Sequence, residues 1–266
     1  MPVVRPLSLC IALYGVACTA HAAGSLLLLD APPAEATWSG GLSVRGWPRA
    51  PGSARQRDSL LPAVDYESPN GIFAATDEGL GWNMAPKLLE GDAAKDWQFG
   101  ARLWPQAGRP RRESPPGVES LGTRIVGEAF ANVQVLPVLL LQSGLSVGSG
   151  RRHDGAQLEL GVTSGIPVGD DLIAVSLATT YANAAHLRGT FGVRPSEASS
   201  SGLPAWRPGS GWQDWSVALS GEHKFTPDWS VSGQWLHARL IGQAGNSPLA
   251  HTRDQPSFIV SLWHRF

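Results

Sequence analysis

The run Gln213-Asp214-Trp215-Ser216-Val217-Ala218-Leu219-Ser220-Gly221-Glu222-His223-Lys224-Phe225 decides the fold. Trp215, Val217, Leu219, Gly221, His223 and Phe225 fall on one side. Asp214, Ser216, Ala218, Ser220, Glu222 and Lys224 fall on the other. Successive side chains of a strand point to opposite faces, so this reads as a strand with one apolar and one polar face. Thr226-Pro227-Asp228 then supplies turn residues. A second strand follows, with Trp229, Val231 and Trp235 on one face and Ser230, Ser232 and Gln234 on the other. The two form a long hairpin.

The same alternation recurs outward from this hairpin. Ile125, Gly127, Ala129, Ala131, Val133 and Val135 oppose Arg124, Glu128, Asn132 and Gln134. Leu136-Pro137 turns the chain into a strand from about Val138 to Gly148. A third hairpin joins Ala156 to Ile166 and Asp170 to Ala182 around Pro167-Val168-Gly169. Weaker strand signals cover Trp38 to Trp47, Leu60 to Tyr66, Gly71 to Thr76, Leu80 to Ala85 and Trp97 to Trp104. The last strand runs from Ser257 to Phe266. The expectation is twelve strands, within a range of ten to fourteen, and no comparable helical stripe.

Composition narrows the class. A net charge of -1 gives no concentrated positive surface for nucleic acid. Both cysteines, Cys10 and Cys18, lie in an apolar run after Arg5 that ends at Ala20-His21-Ala22. That is the pattern of a secretory leader, so residues 1–22 are expected to be removed. Without Arg5 the chain keeps 20 basic and 22 acidic side chains. No later apolar run approaches the roughly 18 residues of a membrane helix. Period-two segments can still cross a membrane as a closed barrel.

The connections point the same way. Short turns at Glu67 to Asn70, Leu136-Pro137, Pro167 to Gly169 and Thr226 to Asp228 alternate with long loops. The long loops are Pro48 to Ser59, Pro105 to Gly122, Asn183 to Trp212 and Ile241 to Gln255. Outer-membrane barrels have short periplasmic turns and longer external loops, whereas a soluble sandwich requires no such bias. The stretch Pro86 to Asp96 is long for the short-turn side. The final strand carries Phe258, Val260, Leu262, His264 and Phe266 on one face. An apolar face ending in an aromatic resembles the terminal signal of barrel assembly. The expected architecture is an all-β, antiparallel transmembrane β-barrel over residues 38–266 in a Gram-negative outer membrane. Residues 23–37 are expected to form a periplasmic segment. The expected partners are outer-membrane lipid and the barrel-assembly machinery.

Trp97, Trp104, Trp215, Trp229 and Trp235 lie near strand ends or on an apolar face, where amphipathic rings favour the membrane interface. Asp96-Trp97, Asp214-Trp215 and Asp228-Trp229 reverse the propeller dipeptide, at irregular spacing. No zinc-protease, phosphate-loop or nucleophile-elbow motif occurs. Neither a cofactor nor a metal is called for, and no catalytic set is assigned. A barrel-embedded hydrolase would have to draw on Ser216, Ser220, Ser232 and His237. Arg124, Glu128, Glu222, Lys224 and Arg239 are expected to line the lumen in an ion-paired network, since buried charge needs partners. Arg151-Arg152-His153-Asp154 reads as an exposed loop that could hold an anion or an ion-pair network.

One block is distinctive. Thr190-Phe191-Gly192-Val193-Arg194-Pro195 is followed by Ser201-Gly202-Leu203-Pro204-Ala205-Trp206 and Pro208-Gly209-Ser210-Gly211. With Arg239-Leu240-Ile241-Gly242, Ser247-Pro248 and the terminal His264-Arg265-Phe266, it resembles the MipA/OmpV family. Gly79-Leu80-Gly81-Trp82-Asn83 is similar to an upstream strand of that family. The family more commonly has Gly-Asp at Gly242-Gln243 and Tyr-Arg-Phe at the end. The resemblance implies a non-enzymatic outer-membrane barrel that scaffolds a murein transglycosylase and a murein synthase. The alternative is a passive, porin-like channel for small solutes. With both termini periplasmic, the block from Phe191 to Gly211, which holds Arg194, Trp206 and Arg207, falls in an external loop whose Gly and Pro residues can fold it inward as a constriction.

Overall fold

A computed structural model describes residues 33–266, apart from 92 and 170. The leader at 1–22 and the start of the 23–37 segment lie outside the described residues. Twelve strands run in chain order. The first six are β1 (Thr37–Pro48), β2 (Gln56–Glu67), β3 (Ile72–Ala75), β4 (Gly79–Asn83), β5 (Trp97–Gln106) and β6 (Arg124–Leu136). The rest are β7 (Leu139–Ser149), β8 (Gly155–Val168), β9 (Asp171–Ala182), β10 (Gly211–Lys224), β11 (Trp229–Leu240) and β12 (Asp254–Arg265). Every neighbour pair is antiparallel, and β1 closes on β12 from Ser39↔Arg265 to Gly46↔Phe258. Gly41 suits this seam, because a Cβ there would sit 1.8 Å from the Leu262 carbonyl oxygen.

The period-two pattern sets which face meets lipid. On β8, β9 and β10 the exposed rows are Leu158, Leu160 and Ile166, then Ile173, Val175 and Leu177, then Trp215 and Leu219. The same strands bury Thr163, Thr180, Asp214 and Ser216 inside. A soluble protein would bury the first set, and a membrane barrel exposes it to acyl chains. Aromatic pairs mark both rims. Trp38 packs at a tilt against Tyr66 at 4.4 Å near the start of β1, and Tyr181 meets Trp212 at 5.5 Å at the far end. His264, at an aromatic position of the terminal strand, lies between Trp229 and Phe266 at 4.7 Å from each. Its imidazole continues the aromatic row. Trp104 departs from the expectation: it points into the lumen, because its parity on β5 matches Arg102 and Gln106.

The start of β1 and the C-terminus share a rim with the turns at 68–71, 137–138 and 225–228 and with Gly169. The long 84–96 connection on that rim folds into two short helices, α1 (Ala85–Leu88) and α2 (Ala93–Asp96). The opposite rim carries the long loops, which contain α3 (Ala184–Phe191), α4 (Pro195–Ser201) and α5 (Gly242–Gly245). Among the described residues no helix is long and apolar enough to cross a membrane. One hairpin is much shorter than the rest. β3 pairs with β2 only at Asp65, Tyr66 and Glu67, and β4 pairs with β5 only from Leu80 to Asn83. Gly79 starts β4 at φ +87, where a Cβ would meet the Leu103 carbonyl oxygen at 2.3 Å.

Leu177 is 54% exposed at mid-strand and its register neighbours are Val162 and Val217. Leu177→Arg is expected to cost about 2–4 kcal/mol, the penalty for a lipid-facing cation near the bilayer midplane. Reversible denaturant unfolding in lipid vesicles measures it.

Candidate functional site

The charged network of the lumen is built chiefly from inward positions of β5, β6, β8 and β10. Glu128 on β6 pairs with Arg102 on β5 at 2.9 Å and accepts the Trp104 indole N–H at 3.2 Å. Their strands are register neighbours, so the pair forms across one ladder rung. Arg124, at 2% exposure, lies toward the loop end. Its Nε donates to Gln106 Oε1 at 2.7 Å, and its Nη groups reach Gln157 Oε1 and the carbonyls of His153 and Gly155. Gln157 continues to Gln213, whose Nε2 donates to Asp214 Oδ2 at 2.8 Å. A buried guanidinium is tolerable because its fork of donors meets several carbonyl oxygens at once.

Glu222 and Lys224 lie at the other end of the lumen. They line a polar cavity of about 310 Å³ near the termini, with Asp65, Glu67, Asp77 and Arg265. Arg239 corrects the expectation. It opposes Trp215 and shares the outward parity of Trp235, so it cannot enter the lumen. There it pairs with Asp254 at 2.8 Å, and His237 meets the same carboxylate at 3.2 Å. His237 is therefore on the outer face while Ser216, Ser220 and Ser232 are on the inner one, and they cannot converge into a hydrolytic set. Among the described residues no group of three metal-ligating side chains comes together.

The long loops form a packed cap at the end opposite the termini. Asn183 caps α3 by accepting the His186 N–H at 2.9 Å, which turns β9 directly into the helix. Leu187 and Phe191 of α3 pack with Ala182, Leu240 and Ala244. Pro195 opens α4 and Gly202 ends it at φ 74, an N-terminal proline and C-terminal glycine in their usual places. Val193 and Trp206 pair their backbones at 2.9 Å in both directions, pinching the loop into a hairpin. Trp206 donates its indole N–H to the Gln243 carbonyl. Phe191 is thus an anchor inside the cap. Arg194 and Arg207 are exposed, and Arg194 pairs with Glu119 at 3.2 Å.

Arg151-Arg152-His153-Asp154 joins this cap instead of standing free. Arg152 pairs with Glu197 of α4. Burial alone would raise the Glu197 carboxyl, but the N–H groups of Arg194 and Glu119, with Arg152, hold it below the usual range. Burial and then the Arg124 charge push His153 down to about 4. The same two causes hold His186 well below its ordinary value. The sequence marked Arg152 as a candidate for an ion-pair network but not its partner Glu197, 45 residues away, and offered no signal for His186, 62 residues from Arg124.

The family described as MltA-interacting protein MipA matches residues 40–266. The chain belongs to this family. With its closed ring of strands, apolar exterior and polar lumen, this MipA-family member is an outer-membrane β-barrel. No curated protein matches it. Solved structures similar to it share about the same low identity. A NanC porin is 10% identical, covering 87% of this chain and 99% of its own, with a TM-score of 0.42. An outer membrane channel from Pseudomonas putida is 10% identical, covering 91% and 100%, with a TM-score of 0.44. An anion-selective porin from Comamonas acidovorans is 10% identical, covering 87% and 100%, with a TM-score of 0.39.

Glu128→Ala is expected to cost about 3–5 kcal/mol, since it leaves the Arg102 charge buried. The Arg102→Met, Glu128→Met double variant should recover most of that loss in the same vesicle unfolding assay. The cap is expected to loosen in acid. Both histidines have folded pKa values below the ordinary 6.5, so the opened cap binds more protons, and stability present above pH 6.5 is lost as the pH falls toward 4. A cysteine at buried Leu187 should react faster at pH 5 than at pH 7.5, with rates scaled to a free thiol.

Proposed function

We propose that this barrel is a narrow channel for small polar solutes, closed or constricted at its external mouth by the cap. The observation that carries this reading is the polar lumen. Asp214, Gln213, Gln157 and Arg124 at the cap end, Arg102 and Glu128 below, and Glu222 and Lys224 by the termini are all inward positions. Water and ions lower the cost of such groups, whereas an apolar lumen would offer a solute nothing in exchange for its hydration. The loop residues Phe191, Arg194, Trp206 and Arg207 act as the constriction in this reading. Phe191 and Trp206 anchor the loop, and the two arginines present charge to solvent.

Planar-bilayer recording tests it. The whole chain should give discrete conductance steps. Replacing residues 194–205 with two glycines should raise the step size severalfold, and Glu222→Gln with Lys224→Gln should shift ion selectivity. Absence of steps in both the whole chain and the loop-replaced variant would overturn the channel. A second reading rests on the family's own description as MltA-interacting. In it, the rim bearing α1 and α2 docks murein enzymes. Pull-down of a murein transglycosylase and a murein synthase, lost when 84–96 is replaced by a short turn, would support the scaffold role.

A further inference from the structure

The short β3–β4 hairpin leaves the wall incomplete. β2 is hydrogen-bonded to β1 along all of Gln56 to Glu67, but to the hairpin only from Val64 onward, through Thr76. β5 is bonded to β6 from Trp97 to Gln106, but to β4 only up to Leu103. Between β2 and β5, from the Thr76–Glu78 turn to the loop rim, no described strand fills the sheet. Where the hairpin ends, three inter-strand steps of about 4.8 Å each separate the two edges. Above, Arg49 and Arg55 reach across to Glu113 at 3.2 and 3.4 Å. The result is a window in the half of the wall away from the termini. With short turns periplasmic and long loops external, it opens at the level of the outer leaflet.

The edges carry the marks of strands that stay unpaired. The Val64 N–H and carbonyl face Thr76. Main-chain groups alternate sides along a strand, so Pro62 turns its nitrogen toward the window. The Phe99 carbonyl accepts the Met84 N–H on the β4 side, so Pro105, at the same parity, also turns its nitrogen toward the window. Each proline sits where a donor would have had no partner, the position proline occupies at sheet edges. The neighbouring Leu60 main-chain groups and the Pro62 carbonyl face the opening. In hydrocarbon such groups cost several kcal/mol each unless the gap holds water or a polar ligand.

Two further features adjoin the window, one on each side of the wall. Inside, Arg45 of β1 and Ser59 of β2 are cross-strand partners. Arg45 is 5% exposed, yet its Nε has no hydrogen-bond partner among the described residues, and neither does the Ser59 Oγ. Asp77 acts on Arg45 through the field, without an ion-pair contact. Outside, an apolar groove of about 580 Å³ runs over β4 to β7, lined by Leu80, Trp82, Leu103, Leu145 and Val147. Leu80 and Leu103 are register partners at the foot of the window. A buried guanidinium with an open Nε thus lies on the lumenal side of the opening, and an apolar groove begins on the outer side at its foot.

We propose that this window is a lateral port for a single-chain amphiphile with an anionic head, a fatty-acid-like monocarboxylate held in the outer leaflet. Its head enters over the Thr76–Glu78 turn to Arg45 and Ser59, and its tail lies in the outer groove. A neutral lipid tail would need the groove alone. The Arg45 guanidinium supplies the reason for a charged head, since charge-assisted bonds to a carboxylate satisfy its open donor.

The test uses the whole chain in phosphatidylcholine vesicles with dodecanoate carrying a terminal diazirine. Photolysis should concentrate label on the outward residues of β4 to β7, and excess dodecanoate should compete at least tenfold better than dodecanol. Arg45→Gln should lower labelling at least tenfold, and Arg45→Lys should retain most of it. Gly127→Leu fills the groove, where a Cβ would meet only ordinary contacts. It should abolish the focused label in a barrel whose lumenal head site is intact, which keeps the test decisive even if Arg45→Gln does not fold. Label spread evenly over outward residues of all strands, or equal competition by dodecanol, would overturn the port. The readout needs no ion current, so failure of the channel reading and failure of this one are separable.

Discussion

The constraint on which this structure depends is that hydrocarbon offers no partner to a peptide group. An unpaired N–H or carbonyl in the bilayer core costs several kcal/mol, so the sheet must close. That requirement places β1 on β12, brings the start of β1 and the end of β12 to one rim and makes the seam glycine useful. It also puts irregular structure where water or protein covers it, and α3, α4 and α5 sit on the loop rim. The two departures from full pairing, on β2 and β5, are the places where proline removes the unneeded donor.

Inside the barrel the same requirement acts on side chains. Arg102 is met by Glu128 on the adjacent strand and Arg124 by several oxygens, while Glu159 Oε1 and Asp214 Oδ1 have no hydrogen-bond partner among the described residues. Arg102 with Glu128, and Arg124 with its ring of carbonyl oxygens, are arrangements in which removing one member harms more than the pair itself contributes. The cap repeats this logic outside the membrane. Glu197 alone joins α4, the 117–122 loop and the β7–β8 turn, so the cap behaves as one packed unit with its own apolar centre.

Much of this was legible in the order of residues. Strand number, alternation and the unequal rims follow from runs such as Gln213 to Phe225, because a period of two is a local property that a wall facing two solvents imposes on each strand. Parity also placed Arg124, Glu128, Glu222 and Lys224 inward. Arg239 departs from the lumenal expectation because its parity with Trp229 and Trp235 outranks its charge; near a rim, a cation can remain on the outer face beside Asp254. Trp104 departs for the mirror reason, since an indole with a buried carboxylate to bond is at home inside. The helices of the cap were hidden because α4, Pro195–Ser201, has no apolar stripe, and its stability comes from Glu197 and its end residues. The partners of His186 and Arg152 are tertiary and leave no local trace.

The truncated β3–β4 hairpin has a mechanical consequence. Around the rim that holds the termini, hydrogen bonds make an unbroken hoop, and a hoop resists being squeezed into an oval. Around the loop rim the hoop is cut between β2 and β5, and its ends are joined by the partly exposed contacts of Arg49 and Arg55 with Glu113. Such contacts are soft compared with a ladder of peptide bonds. Lateral pressure from the outer leaflet is therefore carried unequally along the axis, with compliance concentrated at one slit in one half of the wall.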